Sequence, residues 1–361
     1  MRMPKRPKPS RKLLLIGVGD LGSRIVQLAA HARVATQIHL LSRSPAVANL
    51  AHILSVAADV RITSAAVDAL EAEALEREIA RFEPDLIIQS ASLLSPWALM
   101  QCRGAAGQAI AGAGFALQVA AQLPVVANLM RVLAVLGSRF PVINCSFPDV
   151  THAMLHSVGL APDVGIGNVA MIAAKVRQMS RPVSSPLRVI AHHGHVSRCL
   201  QNRMFDDAEP EPLVYEGQKR LRWEECLRNG SPPLLPGVYL NHLSAVTAMP
   251  IIQGLLGERA SVRTHAPGVA GRLGGYPVRI EQGRLALDLP RGVPEQTALD
   301  LNRSAARLDG VEEIRADGTL IYTDRVRRLC KGLCNELSEP LHVHDALKRW
   351  RVLESFVKEE R

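Results

Sequence analysis

The sequence predicts an α/β fold, a doubly wound parallel sheet followed by an α+β domain, and three observations lead there. A short apolar run, Lys12-Leu13-Leu14-Leu15-Ile16, breaks at Gly17-Val18-Gly19-Asp20-Leu21-Gly22 and resumes with helical spacing, which reads as strand, tight turn, helix. Short strand-like runs then alternate with amphipathic stretches as far as residue 150. Beyond that point the texture changes to strand-like segments, a Pro- and charge-rich stretch and a single long helix.

In order, the spacing predicts a second strand over residues 37–41, ending in Ser42-Arg43-Ser44-Pro45, and a helix over 46–57. The first strand–helix–strand unit therefore closes within about 30 residues. A third strand is expected at 60–63, a Glu- and Ala-rich helix at 69–81, a buried strand at 85–89, a long Ala/Leu helix at 116–136 and a strand at 141–144. The second part shows a strand at 187–191, a helix near 239–256 and β-like segments at 260–290. Residues 206–236 have no clean periodicity and are expected to form a mobile loop over the site. The C-terminal stretch 341–358, with Leu347, Trp350, Val352, Leu353, Phe356 and Val357, reads as a helix packed on the core or a dimerisation surface.

At 361 residues and 47% hydrophobic composition the chain can bury a sizeable core. Its net charge of +9 comes partly from Arg2, Lys5, Arg6, Lys8, Arg11 and Lys12, so residues 1–11 are expected to be a basic, disordered tail, with domains at 12–150 and 151–361. Aromatic residues make up only 4%, too little for base stacking, and a nucleic-acid partner is not expected. The sequence shows neither a run of about 18 uncharged apolar residues nor a secretory signal, so the expectation is a cytoplasmic protein without a membrane partner. Six scattered cysteines suit free thiols. Cys330 and Cys334, near His342 and His344, are spaced more widely than zinc ligands usually are, and no metal is expected.

The glycine turn has a specific physical reading. Gly17 permits the tight turn, Gly19 lets a pyrophosphate approach the backbone, and Gly22 lets the helix pack on the strand, leaving free N–H groups at the helix start for phosphate. The first domain is thus expected to be a dinucleotide-binding Rossmann domain. Asp20 and Leu21 in the turn, Ser90, Ala91 and Ser92 after the fourth strand, and Asn144 are assigned to the cofactor as well. A carboxylate at the end of the second strand would select NAD(H) by accepting from the ribose; Ser42, Arg43 and Ser44 instead offer a guanidinium and two hydroxyls, which favours NADP(H) over NAD(H).

The segment Leu187-Arg188-Val189-Ile190-Ala191-His192-His193-Gly194-His195 resembles the strand and His-Gly turn of the lactate/malate dehydrogenase superfamily. The resemblance runs in order over residues 12 to 310: Ser146-Phe147-Pro148-Asp149 is similar to the family's Asn-Pro-x-Asp segment and Val164-Gly165-Ile166-Gly167 to the Gly-x-Gly that precedes its central helix. Gly274 to Ile280 is similar to the family's Pro-Val strand, and Ser304-Ala305-Ala306-Arg307-Leu308 to its closing helix. It implies that His193 is the general acid/base, that Ser244 is the small polar residue beside the substrate, and that the chain forms a homodimer. Read from the residues alone, the alternatives left open for His193 are a member of a polar His192/His193/His195 turn and, behind it, part of a metal cluster.

The sequence also departs from the family. Its histidine-orienting aspartate would fall near Met171 and its substrate-binding arginine near Ala174 or Lys175; neither is retained. Asp149 or Asn168 is left to orient the imidazole, Ser146 stands where the family has asparagine, and Arg103, in the loop 95–113, is left as a substrate clamp. The reading that follows is an NADP-dependent oxidoreductase passing hydride to a carbonyl, or a derived imine, of a small polar metabolite other than lactate or malate. The alternative is a non-catalytic NADP(H)-binding sensor or pseudoenzyme.

Overall fold

The computed structural model describes residues 11–58, 60–99, 104–179, 185–228 and 230–359. Strands β1 (Lys12–Ile16), β2 (Gln37–Ser42), β3 (Arg61–Ala66), β4 (Leu86–Gln89), β5 (Val142–Asn144) and β6 (Val164–Gly165) form one sheet in the order β3-β2-β1-β4-β5-β6. Every pairing in it is parallel. Leu13, Leu14 and Leu15 are wholly buried because helices cover both faces, which is why β1 reads as a continuous apolar run and does not alternate. The strand order reverses between β1 and β4, and the crevice beyond their C-terminal ends is where such sheets bind ligands.

Helices α1 (Asp20–His31), α2 (Val47–Ala57) and α3 (Ala72–Phe82) connect the first strands. On α1 the buried residues Gly22, Ile25, Val26, Ala29 and Ala30 recur at helical spacing and form the stripe that packs on the sheet. After β4 come α4 (Pro96–Leu99), α5 (Ala105–Ala113) and the long α6 (Phe115–Leu136), then α7 (Pro148–His156) and α8 (Val169–Met179). The sixth strand lies past the boundary drawn at residue 150, so the sheet takes more of the chain than expected. Arg11 does not belong to a loose tail: its side chain is buried, and its backbone exchanges hydrogen bonds with Thr36. Residues 1–10 lie outside the described residues.

The remainder is α+β. β7 (Leu187–Ile190), β8 (Leu213–Glu216) and β9 (Lys219–Leu221) form an antiparallel sheet, with α9 (Val196–Leu200) after the histidine turn and α10 (Trp223–Leu227) after β9. The stretch expected to be a mobile loop is therefore ordered for much of its length: the hairpin turns at Gly217, and Trp223 is wholly buried. α11 (Leu240–Leu255) lies along α1. β10 (Ser261–Pro267), β11 (Gly275–Glu281) and β12 (Arg284–Leu287) form a second antiparallel sheet, joined to β7 by an Ala191–Gly275 bridge.

α12 (Glu295–Ala306) closes onto a one-turn 3₁₀ segment, Arg307–Asp309, and the chain ends in a C-terminal unit. That unit comprises the hairpin β13 (Val311–Ile314) and β14 (Leu320–Tyr322) with helices α13 (Asp324–Lys331), α14 (Asn335–Ser338) and α15 (Ala346–Glu359). Trp350, Leu353 and Val357 of α15 are buried in one cluster with Leu117, Val119 and Leu123 of α6. The apolar face of α15 is thus used inside the chain and is not free for a dimer. α6 is long and apolar enough on average to cross a membrane, although Gln118, Gln122, Asn128 and Arg131 interrupt it, so that it holds no unbroken run of about 18 uncharged apolar residues. Two thirds of it, 67%, is buried, as befits a core helix between two layers.

Candidate active site

β1 ends in a turn whose backbone leaves no room for side chains at two of its three glycines. Gly17 has φ of +91°, and a Cβ there would lie 2.4 Å from Ala91 N; a Cβ on Gly22 would lie 2.1 Å from the Gly17 carbonyl oxygen. A Cβ on Gly19 would meet nothing within 4 Å, because this residue faces open space. Gly19 is also the N-cap of α1 and supplies no side-chain cap, so the first-turn amides remain available to an anion. The turn thus fits a pyrophosphate on this structure's own geometry.

From the turn a single cavity of about 830 Å³ runs to the histidine turn. Gly17, Gly19, Asp20, Leu21, Ser42, Arg43, Ser44, Ser90, Ala91 and Ser92 line it toward the sheet. Asn168, His193 and Ser244 line it toward the second part of the chain. Asp20 is paired with Arg24 at 2.7 Å and accepts from Asn241 Nδ2 at 2.8 Å; the Arg24 hydrogen bond, foremost, holds its carboxyl below the ordinary value. Trp97 Nε1 donates to Asn241 Oδ1 at 3.3 Å, so the segment after β4 is tied through α11 to the start of α1.

His193 opens a 3₁₀ turn at the end of β7, and its backbone N–H donates to Asp149 Oδ1 at 2.8 Å. The Asn168 amide donates to the other oxygen of Asp149. Neither expected orienter touches the imidazole: Asp149 holds the backbone of the turn, and Asn168, at φ of +46°, is spent on Asp149. His193 Nδ1 instead lies 3.0 Å from both carboxylate oxygens of Asp309. Asp309 also lies 3.1 Å from His192 Nδ1. The His193 ring is packed beside Phe115, at 4.0 Å between centroids, and Phe147, at 5.1 Å. With Nδ1 engaged, Nε2 is the nitrogen left for a ligand.

The electrostatics follow from that geometry. Burial alone would push the His193 pKa down, but the carboxylates of Asp309 and then Asp149 outweigh it and hold the imidazole above its ordinary value. Burial likewise opposes charge on Asp309, yet His193 and His192 hold it well below the usual carboxylate range. The pair therefore favours imidazolium and carboxylate. Asp149, fully buried, is pushed up by desolvation despite the two histidines nearby.

Three assignments move. Asn144, expected at the cofactor, is buried beneath the cavity with its amide donating to the Ser146 carbonyl at 3.3 Å and Thr151 Oγ1 at 3.2 Å. Ser146, expected at the substrate, is buried too and donates to the Ala91 carbonyl at 2.9 Å. Both hold the β4–β5 ends in place and do not line the cavity. Gly22 sits behind the turn as a packing glycine. Arg103 lies outside the described residues. Lys175 has turned away from the site and donates to Ser231 Oγ at 2.9 Å and to the Pro232 carbonyl.

Sequence reasoning missed Asp309, Phe115, Phe147 and Gln118 as cavity residues. The segment resembling the family's closing helix stops at Leu308, one residue short of Asp309, and Gly310 at φ of +91° marks the turn that sets this carboxylate. A close approach makes the pairing possible: a Cβ on Gly194 would lie 2.7 Å from the Ala305 carbonyl oxygen.

The architecture is a Rossmann-type domain joined to an α+β domain, with a cavity between the glycine turn and a His-Asp pair. This is the fold of the lactate and malate dehydrogenases. A malate dehydrogenase from Plasmodium falciparum superposes with a TM-score of 0.51 at 11% identity, covering 82% of this chain and 96% of its own. A lactate dehydrogenase from a Medee basin deep-sea metagenome library gives 0.50 at 11%, over 83% and 96%. The lactate dehydrogenase of Cryptosporidium parvum, solved with lactic acid and nicotinamide adenine dinucleotide, gives 0.50 at 14%, over 84% and 99%. No protein-family model matches the sequence. No curated protein matches it either.

Proposed function

We propose that the protein is an NAD(P)-dependent oxidoreductase that interconverts a carbonyl compound, or the imine derived from one, and its reduced form, with His193 as general acid/base. The observation that carries this reading is the His193–Asp309 pair at the far end of the cavity that begins at the glycine turn. A nicotinamide dinucleotide bound there would supply or accept the hydride. Gly17, Gly19 and the first-turn amides of α1 would hold its pyrophosphate. Asp309 fixes the tautomer of His193 and keeps Nδ1 occupied, so that Nε2 gives a proton to the developing alkoxide in reduction and takes it back in oxidation. Phe115 and Phe147 pack against the imidazole and leave it only partly exposed. Asp309, standing in for the family's missing aspartate, weighs against the alternative of a non-catalytic sensor, which rests on the loss of that aspartate and of the substrate-binding arginine.

The preference for NADP(H) rests on Ser42, Arg43 and Ser44, which line the cavity at the end of β2. The Cryptosporidium parvum neighbour was solved with nicotinamide adenine dinucleotide, so the proposed preference draws its support from this chain's own residues alone. Free thiols at Cys145, Cys199, Cys226, Cys330 and Cys334 suit the reducing cytoplasm. Self-association as a homodimer is part of the proposal, with a surface other than α15; a monomer in light scattering at micromolar concentration would reject it.

The test is a titration with NADPH and NADH followed by cofactor fluorescence, then turnover with a panel of carbonyl compounds. His193→Asn is expected to lower kcat/KM by about 10²- to 10⁴-fold, the range for a positioned acid/base, and to leave cofactor affinity within a few-fold. Unchanged turnover in this variant, or a protein that binds neither nucleotide, would overturn the reading.

A further inference from the structure

The end of the cavity around His193 has a chemical character of its own. Among the described residues, the carboxylate, guanidinium, ammonium and imidazole groups that line the cavity are Asp20, Arg43, Asp68, His193 and Asp309. Asp20, Arg43 and Asp68 stand at the ends of β1, β2 and β3, where the dinucleotide is expected. That leaves one imidazole beside one carboxylate at the other end, with the buried carboxylate of Asp149 directly behind the His193 amide. A substrate carboxylate here would be a third carboxylate beside the one imidazole that lines the cavity. Met171 lines the wall in place of a charged group, and Lys175 is committed to Ser231 and Pro232.

The same end carries an unmet hydrogen-bonding group. Along α6, Phe115, Gln118, Gln122 and Val125 recur at helical spacing and line the cavity. Gln122 Nε2 donates to the Leu94 carbonyl at 2.8 Å. Gln118 is 6% exposed, and its Oε1 is buried with no hydrogen-bond partner. A buried amide oxygen is ordinarily paired, and Gln118 is a residue of the cavity wall, so a ligand that reaches this side chain can supply the missing donor. Phe115, Phe147 and Leu308 supply the apolar surround.

Resting on the oxidoreductase reading, we propose that the site takes an uncharged carbonyl compound with an apolar or aromatic body and a hydroxyl or amide N–H, which donates to Gln118, and not a 2-oxo acid. Gln118 is then the residue that sets specificity between acid and neutral analogue.

The experiment uses the full chain, with and without saturating NADPH, titrated calorimetrically with 2-oxo-2-phenylacetamide and with 2-oxo-2-phenylacetate, which share one carbon skeleton. The amide is expected to bind at least about ten-fold more tightly than the acid. Gln118→Leu is expected to cost the amide about ten-fold and leave the acid unchanged, whereas Gln118→Glu, which keeps an acceptor, retains amide binding. Melting curves confirm that each variant is folded. Equal or tighter binding of the acid overturns the proposal, as does a wild-type affinity of Gln118→Leu for the amide, or binding of neither compound. Acid binding that disappears in Arg103→Ala overturns it too, and names the missing cation. Amide binding that responds to Gln118 but yields no cofactor oxidation refutes hydride transfer while leaving the pocket assignment standing.

Discussion

Replacing Asp309 by Asn removes a charge while keeping the shape, and so isolates what the carboxylate does to His193. In the folded chain His193 Nδ1 lies 3.0 Å from both Asp309 oxygens. A hydrogen bond to a charged group contributes about 1.5–3 kcal/mol. At about 1.4 kcal/mol per unit, losing it lowers the imidazole pKa by about one to two units. Burial, the largest influence on this group, acts downward and is untouched by the change. The variant's His193 should therefore titrate below about 6.5, the ordinary value, and the wild-type group above it. Histidine Hε1 resonances followed from about pH 5 to about pH 9, with His193→Asn as the assignment control, give the answer without any substrate. In the reductive direction near pH 7, turnover of the variant should fall by about ten- to a hundred-fold, because less imidazolium is present to donate. A wild-type His193 that titrates at or below the ordinary value, or one that titrates alike in both proteins, would refute the reasoning.

Further expectations concern stability and the cofactor. His193 has a folded pKa raised above its unfolded value, so its contribution to stability is whole below about pH 6.5 and is lost as the pH rises through the folded value; Asp309, depressed on folding, contributes above about pH 4 and loses that contribution as the pH falls through its folded value. Denaturant unfolding across the pH range should show both contributions in the wild type and lose both in Asp309→Asn, whose remaining pH dependence comes from other groups such as the buried His195 and His265. Gly22→Ala should cost more than about 2 kcal/mol, since its Cβ would meet the Gly17 carbonyl at 2.1 Å, whereas Gly19→Val should melt near the wild-type temperature and lose cofactor binding. Arg43→Ala should weaken NADPH by about 1.5–3 kcal/mol and NADH hardly at all; equal losses would remove the phosphate-clamp argument. Trp223→Ala, at a wholly buried position whose indole donates to the Arg203 carbonyl at 2.9 Å, should cost about 3–5 kcal/mol by thermal or chemical unfolding.

The first half of the fold was legible because its signals are local. β1 and β4 are buried on both faces and read as unbroken apolar runs, and the glycine turn follows β1 directly. β3 was harder: it is an edge strand whose last residues, Ser64, Ala65 and Ala66, are small and partly exposed, so the expected strand ended at 63. The β8–β9 hairpin escaped notice since its strands are four and three residues long and sit in a charge-rich stretch, although Gly217 between them is a turn signal. At the site, His193 stood out through its motif, but its partner did not. His193 and Asp309 are 116 positions apart, and no local pattern ties a histidine turn to the residue that follows a closing helix. Asp149 and Asn168 were assigned to the right neighbourhood and the wrong part of it, since sequence order does not tell a backbone acceptor from an imidazole acceptor.

The carboxylate beside His193 is set where the chain passes into the C-terminal unit, and that unit grips the cavity wall. Arg325 of α13 donates to the Gly112 carbonyl at the end of α5, and a Cβ on Gly310 would come within 2.8 Å of the Ala113 carbonyl oxygen. The two ends of the cavity are consequently built from different parts of the chain. The glycine turn is built within the first part of the chain, against Leu41 and Ala91, while the histidine's partner comes from its last third. A molecule frayed at its C-terminus would keep its nucleotide half in working order and lose its proton donor, so occupancy by cofactor and competence for chemistry are separable states of one polypeptide.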